Sequence, residues 1–216
     1  MYSVVLFDFD YTLADSTPGI IECVNTALSG LGYVPATEAA IRRTVGMSLA
    51  DTFCALTGSQ SPRRCGEFEK SFVQRADEVM VNHTTLYLEV RGVIEAVRSM
   101  GIKTGIVTTK FQRRIYAILR REKMESLFDV IVGAENVTAH KPAPEGLLLA
   151  LAQLQIAPAK ALYVGDSLVD AKTATRAGVA FAAVTTGVTI AAEFNAYQPV
   201  AVLDRLAKVL NLLAGR

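Results

Sequence analysis

Two aspartates separated by one residue follow a short apolar run near the start of the chain. The run covers residues 4–7, and Asp8 and Asp10 come directly after it. Two carboxylates this close repel each other unless a cation lies between them or one of them is protonated. The pair therefore predicts a hard divalent metal, a shared proton, or both. The alternative is that both aspartates cap a turn or the following helix, and only partners elsewhere in the chain can decide.

A threonine and a lysine add groups that bind anions. Thr108 follows the apolar residues 105–107, where its hydroxyl and adjacent backbone N–H groups could hold a phosphate oxygen. Lys141 precedes a predicted helix, and a rigidly placed ammonium there could balance carboxylates and pair with an anionic ligand. Each has a plainer explanation on its own, since threonine commonly ends strands and most lysines are solvated surface charges.

Asp166 and Asp170 repeat the pattern of the opening pair. They follow the apolar run 161–164, and a helix is predicted from residue 168. Side chains four residues apart on a helix project toward one side, so these carboxylates could complete a magnesium site. The structural alternative is that Asp166 is the N-cap of that helix.

The elements that must bring these groups together alternate between strand and helix after residue 92. Apolar runs predict strands at 4–7, 104–107, 130–132, 161–164 and, as the last strand, 181–184. Helical spacing predicts helices at 93–99, 113–121, 145–154 and 168–177. Repeated β-α units are typical of a parallel sheet with helices on both faces, which binds ligands at the carboxyl ends of its strands. The sequence therefore predicts an α/β, Rossmann-like core.

A helical block interrupts this core after the first strand. Residues 16–85 contain four segments with helical character and no obvious strand. We expect a catalytic core of residues 1–15 and 86–216 and an inserted, all-helical cap of residues 16–85. Residues 14–18 and 82–91 would be the two hinges between them.

Composition excludes several classes of protein. The chain has 216 residues, of which 51% are hydrophobic, enough for a sizeable core. Its formal net charge of +1 gives no reason to expect a nucleic-acid or membrane surface. No N-terminal leader and no apolar run of the roughly 20 residues needed to span a bilayer are visible. We expect a soluble cytoplasmic protein.

Four separated motifs together resemble those of the haloacid dehalogenase-like hydrolases, a superfamily of aspartate-nucleophile phosphatases. They are, in chain order, the segment 8–13 with sequence DFDYTL, then Thr108, then Lys141 within 141–144, then Asp166 and Asp170 within 165–170. The resemblance extends along nearly the whole chain, including the helical insert. The segments 45–49 and 92–110 are most similar to the phosphoglycolate phosphatase and pyrophosphatase-like branch.

The resemblance implies a role for each motif residue. Asp8 would attack the phosphorus of a phosphomonoester and form an aspartyl-phosphate, and Asp10 would act as general acid and then as general base. Mg²⁺ would be held by the Asp8 carboxylate, the main-chain carbonyl of Asp10 and the Asp166 carboxylate, with Asp170 completing or orienting this set.

The resemblance also implies how the transferring phosphoryl group is held. Its oxygens would contact Thr108, Lys141 and the N–H groups near Phe9 and Thr109. The presence of Asp10 favours phosphate esters over the dehalogenase and phosphonatase reactions, because enzymes of those two classes lack an aspartate at this position.

The expected substrate is a small phosphorylated metabolite such as phosphoglycolate. Substrate specificity would depend on side chains of the cap, for which Met47, Ser48 and Arg75 are the candidates. An inorganic pyrophosphatase and a β-phosphoglucomutase-like mutase remain alternatives, although the loop 45–49 lacks the basic residue of the sugar-phosphate mutases. A catalytically silent phosphate sensor is a further alternative, and the protein would be a monomer or homodimer.

One residue departs from the family pattern. Tyr11 occupies the position after the second aspartate, where relatives usually have a glycine that lets the chain turn tightly. Its ring could turn toward the cap and narrow the pocket, or it could disturb the loop. We expect the first outcome, because every charged motif residue is present.

Overall fold

The computed structural model describes residues 1–215, which form two compact units. The first unit contains residues 1–14 together with those from Leu86 onward, and the second contains Asp15–Thr85. The second unit is therefore inserted into the first after its opening strand and loop.

The strands belong to one large sheet and one small one. In chain order they are β1 (Val4–Phe7), β2 (Ala14–Asp15), β3 (Thr85–Leu86), β4 (Lys103–Val107), β5 (Val130–Val132), β6 (Ala161–Gly165), β7 (Ala180–Val184) and β8 (Ala201–Leu203). Strands β2 and β3 pair with each other, and the other six form a parallel sheet in the order β5-β4-β1-β6-β7-β8.

The helices follow the same order along the chain. They are α1 (Thr17–Gly30), α2 (Glu38–Arg42), α3 (Leu49–Thr57), α4 (Pro62–Val79), α5 (Val90–Ser99), α6 (Gln112–Arg121), α7 (Glu145–Leu154), α8 (Leu168–Ala177) and α9 (Val209–Leu213). The first four lie in the inserted unit, and the rest lie in the unit that contains the sheet.

Strand β1 lies in the middle of the parallel sheet and is fully buried. Phe7 lies opposite Ile106 of β4 on one side and opposite Val164 of β6 on the other. All four residues of β1 are inaccessible to solvent, which explains their uninterrupted apolar sequence. The residues that follow β1, β4 and β6 therefore emerge side by side at one edge of the sheet.

Helices on the sheet enclose its core. Helix α7 packs against β4 and β5, α8 packs against β6 and β7, and α5 packs against β4. Leu147 and Ala150 of α7 and Ala171 and Ala174 of α8 share a buried cluster with Tyr163 of β6. The predicted α/β, Rossmann-like fold with a parallel sheet is confirmed.

The inserted unit has a core of its own. Helix α1 packs along α4, and α3 also contacts α4. Aromatic side chains fill the space between them, with the ring centroids of Phe53 and Phe68 5.2 Å apart. The hydroxyls of Ser48 and Ser61 cap the first turns of α3 and α4.

Short elements are where the sequence prediction falls short. The predicted series of strands ended at residue 184, but β8 follows β7 in the sheet, and α9 comes after it. The pair β2 and β3 was also missed, and β3 includes a residue of the block expected to be free of strands. Elements of two to five residues are too short to show a periodicity. Within residues 1–215, no helix has the length and apolar character needed to cross a membrane.

Strand β4 includes a glycine that leaves no space for a side chain. A Cβ added at Gly105 would lie 2.5 Å from Val130 Cγ1 and 2.7 Å from Leu6 Cδ2. We expect Gly105→Ala to lower the free energy of unfolding by about 1–3 kcal/mol, because the neighbouring strands must move apart. Urea unfolding followed by circular dichroism measures the change.

The matched control is Gly92→Ala in α5, where an added Cβ meets no atom within 4 Å among the described residues. It should be neutral or stabilise the protein by up to about 1 kcal/mol, because alanine favours the helix. Equal stability of the two variants would show that β4 is not packed as tightly as described.

Candidate active site

Four aspartates lie buried at the carboxyl edge of the sheet. Asp8 and Asp10 follow β1, Asp166 follows β6, and Asp170 lies in the first turn of α8. Their exposed fractions are 2%, 9%, 5% and 0%. One oxygen each from Asp8, Asp166 and Asp170 lies within 4.8 Å of the others, the spacing of a set of metal ligands. The topology therefore brings together carboxylates that are up to 162 positions apart in the sequence.

Lys141 inserts its ammonium into this acidic cluster. Its Nζ lies 2.7 Å from Asp170 Oδ1 and 2.9 Å from Asp8 Oδ1, and the residue is 6% exposed. The contact with Asp8 is an ion pair, and the contact with Asp170 is both an ion pair and a hydrogen bond. The lysine predicted from the sequence to balance carboxylates is thus in contact with two of them.

Tyr163 supports the same cluster, although reasoning from the sequence did not identify it. Its hydroxyl accepts a hydrogen bond from Lys141 Nζ at 3.2 Å and lies 2.9 Å from the carbonyl oxygen of Val107 and 3.0 Å from Asp170 Oδ1. In the sequence Tyr163 is one more large residue in an apolar strand. Only the position of β6 in the sheet, with β1 between it and β4, and its packing against α8 show that its hydroxyl reaches the site.

Both oxygens of Asp170 are occupied by hydrogen bonds within the protein. Oδ1 accepts from Lys141, and Oδ2 accepts from the backbone N–H and the hydroxyl of Ser167, at 3.1 Å and 2.6 Å. Ser167 is the N-cap of α8, and its hydroxyl accepts in turn from the Asp170 N–H. The alternative of Asp166 as N-cap is therefore wrong, because Asp166 precedes the cap and is available to the site.

Asp166 is held by a threonine and packed against a glycine. Thr12 donates a hydrogen bond to Asp166 Oδ1 at 3.1 Å. A Cβ at Gly187 would lie 2.0 Å from Asp166 Oδ2, so this glycine is required for the carboxylate to occupy its place. Sequence reasoning missed both residues, since a threonine in a loop and a glycine after a strand have many other uses.

A second buried lysine contacts Asp10. Lys110 Nζ lies 3.2 Å from Asp10 Oδ1, and Lys110 is 7% exposed. It is the second residue after Thr108, which the sequence pattern indicates as a candidate. Lys110 itself was missed, because in a sequence a single lysine near a strand end looks the same as a surface lysine. The site thus has two ammonium groups, one beside each member of the opening aspartate pair.

The loop that carries Asp10 turns sharply at Tyr11. Tyr11 has φ +60°, in the left-handed region that favours glycine and costs another residue about 1–2 kcal/mol. Hydrogen bonds keep the loop in place, since the Tyr11 N–H donates to the Ala14 carbonyl at 2.7 Å and the Thr186 hydroxyl donates to the Tyr11 carbonyl. The tyrosine therefore adopts a left-handed turn that favours glycine, and the residue is 3% exposed.

The remaining predicted residues of this unit lie near the strand ends. Thr108 is buried, its N–H donates to the Val132 carbonyl at 3.0 Å, and its hydroxyl oxygen accepts from the Lys110 N–H at 3.2 Å. Phe9 is buried and its carbonyl accepts hydrogen bonds from the loop that follows, while Thr109 is half-buried. Their role in holding a phosphoryl group stays a prediction.

The three predicted cap residues lie in the inserted unit. Met47 and Ser48 precede α3. Ser48 is the N-cap residue of this helix, and its hydroxyl donates a hydrogen bond to Asp51 at 2.7 Å. Arg75 on α4 pairs with Glu22 of α1 and Glu78 of α4. These carboxylates hold the guanidinium, so Arg75 could bind an anionic substrate only in competition with them, and its role stays a prediction.

Burial shifts the pKa values of the cluster. Burial raises the pKa of Asp8 from 3.8 to about 7; Lys141 opposes this rise, and Asp170 adds to it. The pKa of Asp166 is raised well above its ordinary value by burial and by Asp170. Burial alone would lower the pKa of Lys141, but Asp170 and Asp8 outweigh it and raise the pKa. Full ionisation of the cluster would thus give more negative charge than its two lysines can balance, and the raised pKa values of Asp8 and Asp166 reflect this.

The residues present fit a hard divalent cation. Full ionisation would give the four aspartates four negative charges against two ammonium groups, which contact Asp8, Asp10 and Asp170, so two negative charges would be in excess. Within residues 1–215, Asp8 Oδ1 and Asp10 Oδ1 are buried oxygens without a hydrogen-bond partner. Carboxylate oxygens are the ligands that Mg²⁺ prefers in proteins, and a divalent ion would neutralise the excess.

The raised pKa of Asp8 predicts how stability depends on pH without metal. Between pH 4 and pH 7 the unfolded chain loses the Asp8 proton while the folded protein keeps it, so stability falls as the pH rises through this window. Asp8→Asn removes this contribution. In EDTA, we expect it to be more stable than wild type by about 0.5–2 kcal/mol at pH 8, with a smaller difference at pH 5. Thermal unfolding at both pH values measures this.

Asp204→Asn is the matched control, because Asp204 is exposed and its pKa is lowered by Lys208. Its difference from wild type should be the same at pH 5 and pH 8, since this carboxylate is already ionised at both. A gain from Asp8→Asn that is equal at the two pH values, or larger at pH 5, would contradict the shift at Asp8.

Comparison with known proteins identifies relatives along the whole chain. The phosphoglycolate phosphatase of Nitrosococcus oceani is 29% identical over 220 residues, which cover 98% of this chain and 96% of that protein. The pyrophosphatase PpaX of Bacillus cereus is 31% identical over 213 residues, which cover 99% of this chain and 97% of that protein. Both similarities therefore include the inserted unit as well as the sheet.

A solved structure shares the architecture closely. A haloacid dehalogenase-like hydrolase from Bacteroides fragilis superimposes with a TM-score of 0.94 at 42% identity, over 97% of this chain and 100% of the other. The family model of haloacid dehalogenase-like hydrolases matches residues 5–184, which contain all four motifs. The resemblance seen in those motifs is confirmed, and the chain belongs to the haloacid dehalogenase-like hydrolases.

Proposed function

We propose that the chain is a Mg²⁺-dependent phosphatase that hydrolyses a small phosphomonoester through an aspartyl-phosphate on Asp8. The observation that carries this proposal is the pair of buried carboxylates after the central strand, each beside its own lysine ammonium. The phosphatase and pyrophosphatase names of relatives at 29% and 31% identity also support phosphoryl transfer.

The two steps divide between Asp8 and Asp10. In the first, an Asp8 oxygen bonds to phosphorus, the bond from phosphorus to the alcohol oxygen breaks, and the protonated Asp10 gives its proton to that oxygen. In the second, Asp10 takes a proton from water as the water oxygen bonds to phosphorus. The bond from phosphorus to Asp8 then breaks, and inorganic phosphate leaves.

The remaining groups hold the transferring oxygens as charge shifts onto them. Lys141 lies 2.9 Å from Asp8 Oδ1, close enough to contact a phosphoryl group on that carboxylate as well. The Thr108 hydroxyl and the N–H groups of Phe9 and Thr109 would complete this set. Such positioning and electrostatic stabilisation account for most of the catalysis in phosphoryl transfer.

The metal would be held by Asp8, the main-chain carbonyl of Asp10, and Asp166. Asp170 would orient the set, because its oxygens accept hydrogen bonds from Lys141 and Ser167. When bound, Mg²⁺ would offset the repulsion between the anionic Asp8 and the anionic substrate. Ionisation of Asp8 near neutral pH would be favoured in the same way, since burial, opposed by Lys141 and aided by Asp170, raises its pKa to about 7 in the absence of metal.

Phosphoglycolate is the substrate we propose first, because a relative aligned over nearly the whole chain carries that name. The 31% identity to a pyrophosphatase makes inorganic pyrophosphate the second candidate. In this proposal residues 16–85 are the cap, and Met47, Ser48 and Arg75 choose among small anions that present the same phosphoryl group.

Phosphate release from a panel of phosphorylated metabolites and pyrophosphate tests the activity. We expect release that requires Mg²⁺ and falls by at least about 10⁴-fold in Asp8→Asn, since the amide is not a nucleophile. Asp204→Asn, far less buried than Asp8, is the control and should keep wild-type activity.

The outcomes separate the candidate functions. Release from pyrophosphate alone would support the pyrophosphatase, and interconversion of a sugar phosphate after addition of a bisphosphate would support a mutase. Release that is unchanged in Asp8→Asn would contradict a covalent step on this residue. No turnover of any compound by a folded protein would leave the phosphate sensor as the better account.

Metal affinity tests the carboxylate set separately from turnover. Asp166→Asn should weaken Mg²⁺ binding by at least about 10-fold, because it removes a charged ligand. Titration calorimetry with MgCl₂ in the absence of substrate measures the affinity, with Asp204→Asn as the control. Equal affinity of wild type and Asp166→Asn would place the cation elsewhere.

A further inference from the structure

Lys110 has a buried ammonium that the proposed reaction does not yet use. Its side chain is 4% exposed, and a buried ammonium is unfavourable unless a counter-charge compensates the lost hydration. Its counter-charge is Asp10, whose side chain is 11% exposed and whose Oδ1 lies 3.2 Å from Lys110 Nζ. A surface lysine would gain little from such a pair, so the position calls for a functional account.

The backbone of Lys110 is held by hydrogen bonds in the loop that follows β4. Its N–H donates to the Thr108 hydroxyl at 3.2 Å, and its carbonyl accepts from the Ala134 N–H at 3.1 Å. Thr108 is in turn bonded to the carbonyl of Val132 in β5. The residues that follow β4 and β5 therefore fix the backbone from which the lysine side chain extends.

Asp10 is fixed from the other side by its own loop. The Tyr11 N–H donates to the Ala14 carbonyl, and Asp10 and Ala14 form an isolated parallel bridge. Within the described part of the chain, Asp10 Oδ1 has no hydrogen-bond partner. The ion pair with Lys110 is thus the interaction that the structure provides to orient this oxygen.

The two buried lysines contact different aspartates of the opening pair. Lys141 contacts Asp8 and Asp170, whereas Lys110 contacts Asp10. On the basis of the proposed function, we infer that Lys110 is a positioning residue that holds the Asp10 carboxyl group where it can exchange a proton with the leaving alcohol. Its effect on the reaction passes through Asp10 and not through direct contact with the phosphoryl oxygens.

This role predicts a dependence on the leaving group. An alkoxide such as that of glycolate needs a proton as it departs, whereas p-nitrophenolate is a weak base that departs without one. Loss of Lys110 should therefore impair the formation of the phosphoenzyme from phosphoglycolate far more than from p-nitrophenyl phosphate. A merely structural role, or direct contact with phosphate, would impair both alike.

The experiment compares kcat/KM of wild type, Lys110→Met, Lys110→Arg and Asp10→Asn for these two substrates with Mg²⁺. We expect Lys110→Met to lower the value for phosphoglycolate by about 10²-fold and that for p-nitrophenyl phosphate by less than about 10-fold. Lys110→Arg should recover part of the loss, because it keeps the positive charge. In the Asp10→Asn background, Lys110→Met should have little further effect.

Lys103→Met is the matched control, since Lys103 is exposed at the opposite end of the same strand. It should leave both values unchanged. An equal loss of kcat/KM on the two substrates in Lys110→Met would overturn the inference, and so would an additive loss in the Asp10→Asn background. In either case, turnover by wild-type protein would still support the proposed function. Wild-type protein that releases phosphate from neither substrate would overturn the proposed function and the inference together.

Discussion

An excess of buried negative charge governs the carboxyl edge of the sheet. Four aspartates lie there, two lysine ammonium groups contact three of them, and burial strengthens every repulsion among the carboxylates. Such a cluster opposes folding unless a cation or protons compensate it. The fold tolerates this cost because the central strands and their helices are fully packed around it. Sites of this kind commonly trade stability for function.

The supporting contacts give each carboxylate a different environment. Asp170 is saturated by Lys141 and Ser167, whereas Asp8 keeps a buried oxygen without a hydrogen-bond partner among residues 1–215. A carboxylate whose two oxygens both accept hydrogen bonds is suited to orient its neighbours, and one held by an ion pair with Lys141 is suited to bind a cation or to attack. The same residue type thus serves different purposes because the surrounding donors differ.

Sequence reasoning located the charged residues because strand ends are visible in a pattern. Asp8, Thr108 and Asp166 each follow an apolar run, and a parallel sheet gathers such ends at one edge. Tyr163 and Lys110 were missed because their roles depend on packing across strands. One looks like a core residue and the other like a surface charge until the neighbouring elements are in place.

Other differences have equally local causes. Ser167 takes the N-cap that the sequence could also have given to Asp166, since both residue types cap helices well. Strand β8 has three residues, too few to show an alternation before its pairing with β7 is known. Tyr11 takes a left-handed conformation because hydrogen bonds of the loop fix the turn, a constraint that residue type alone does not reveal.

The most direct test of this account is chemical identification of the phosphorylated residue. Protein mixed with radiolabelled p-nitrophenyl phosphate and Mg²⁺, quenched in acid within one turnover and digested, would be mapped by mass spectrometry. The account predicts an acid-stable, base-labile phosphoryl group on Asp8, at higher occupancy in Asp10→Asn because the second step then lacks its base. Phosphate release by wild type with no label on Asp8, or with label on another residue, would contradict it.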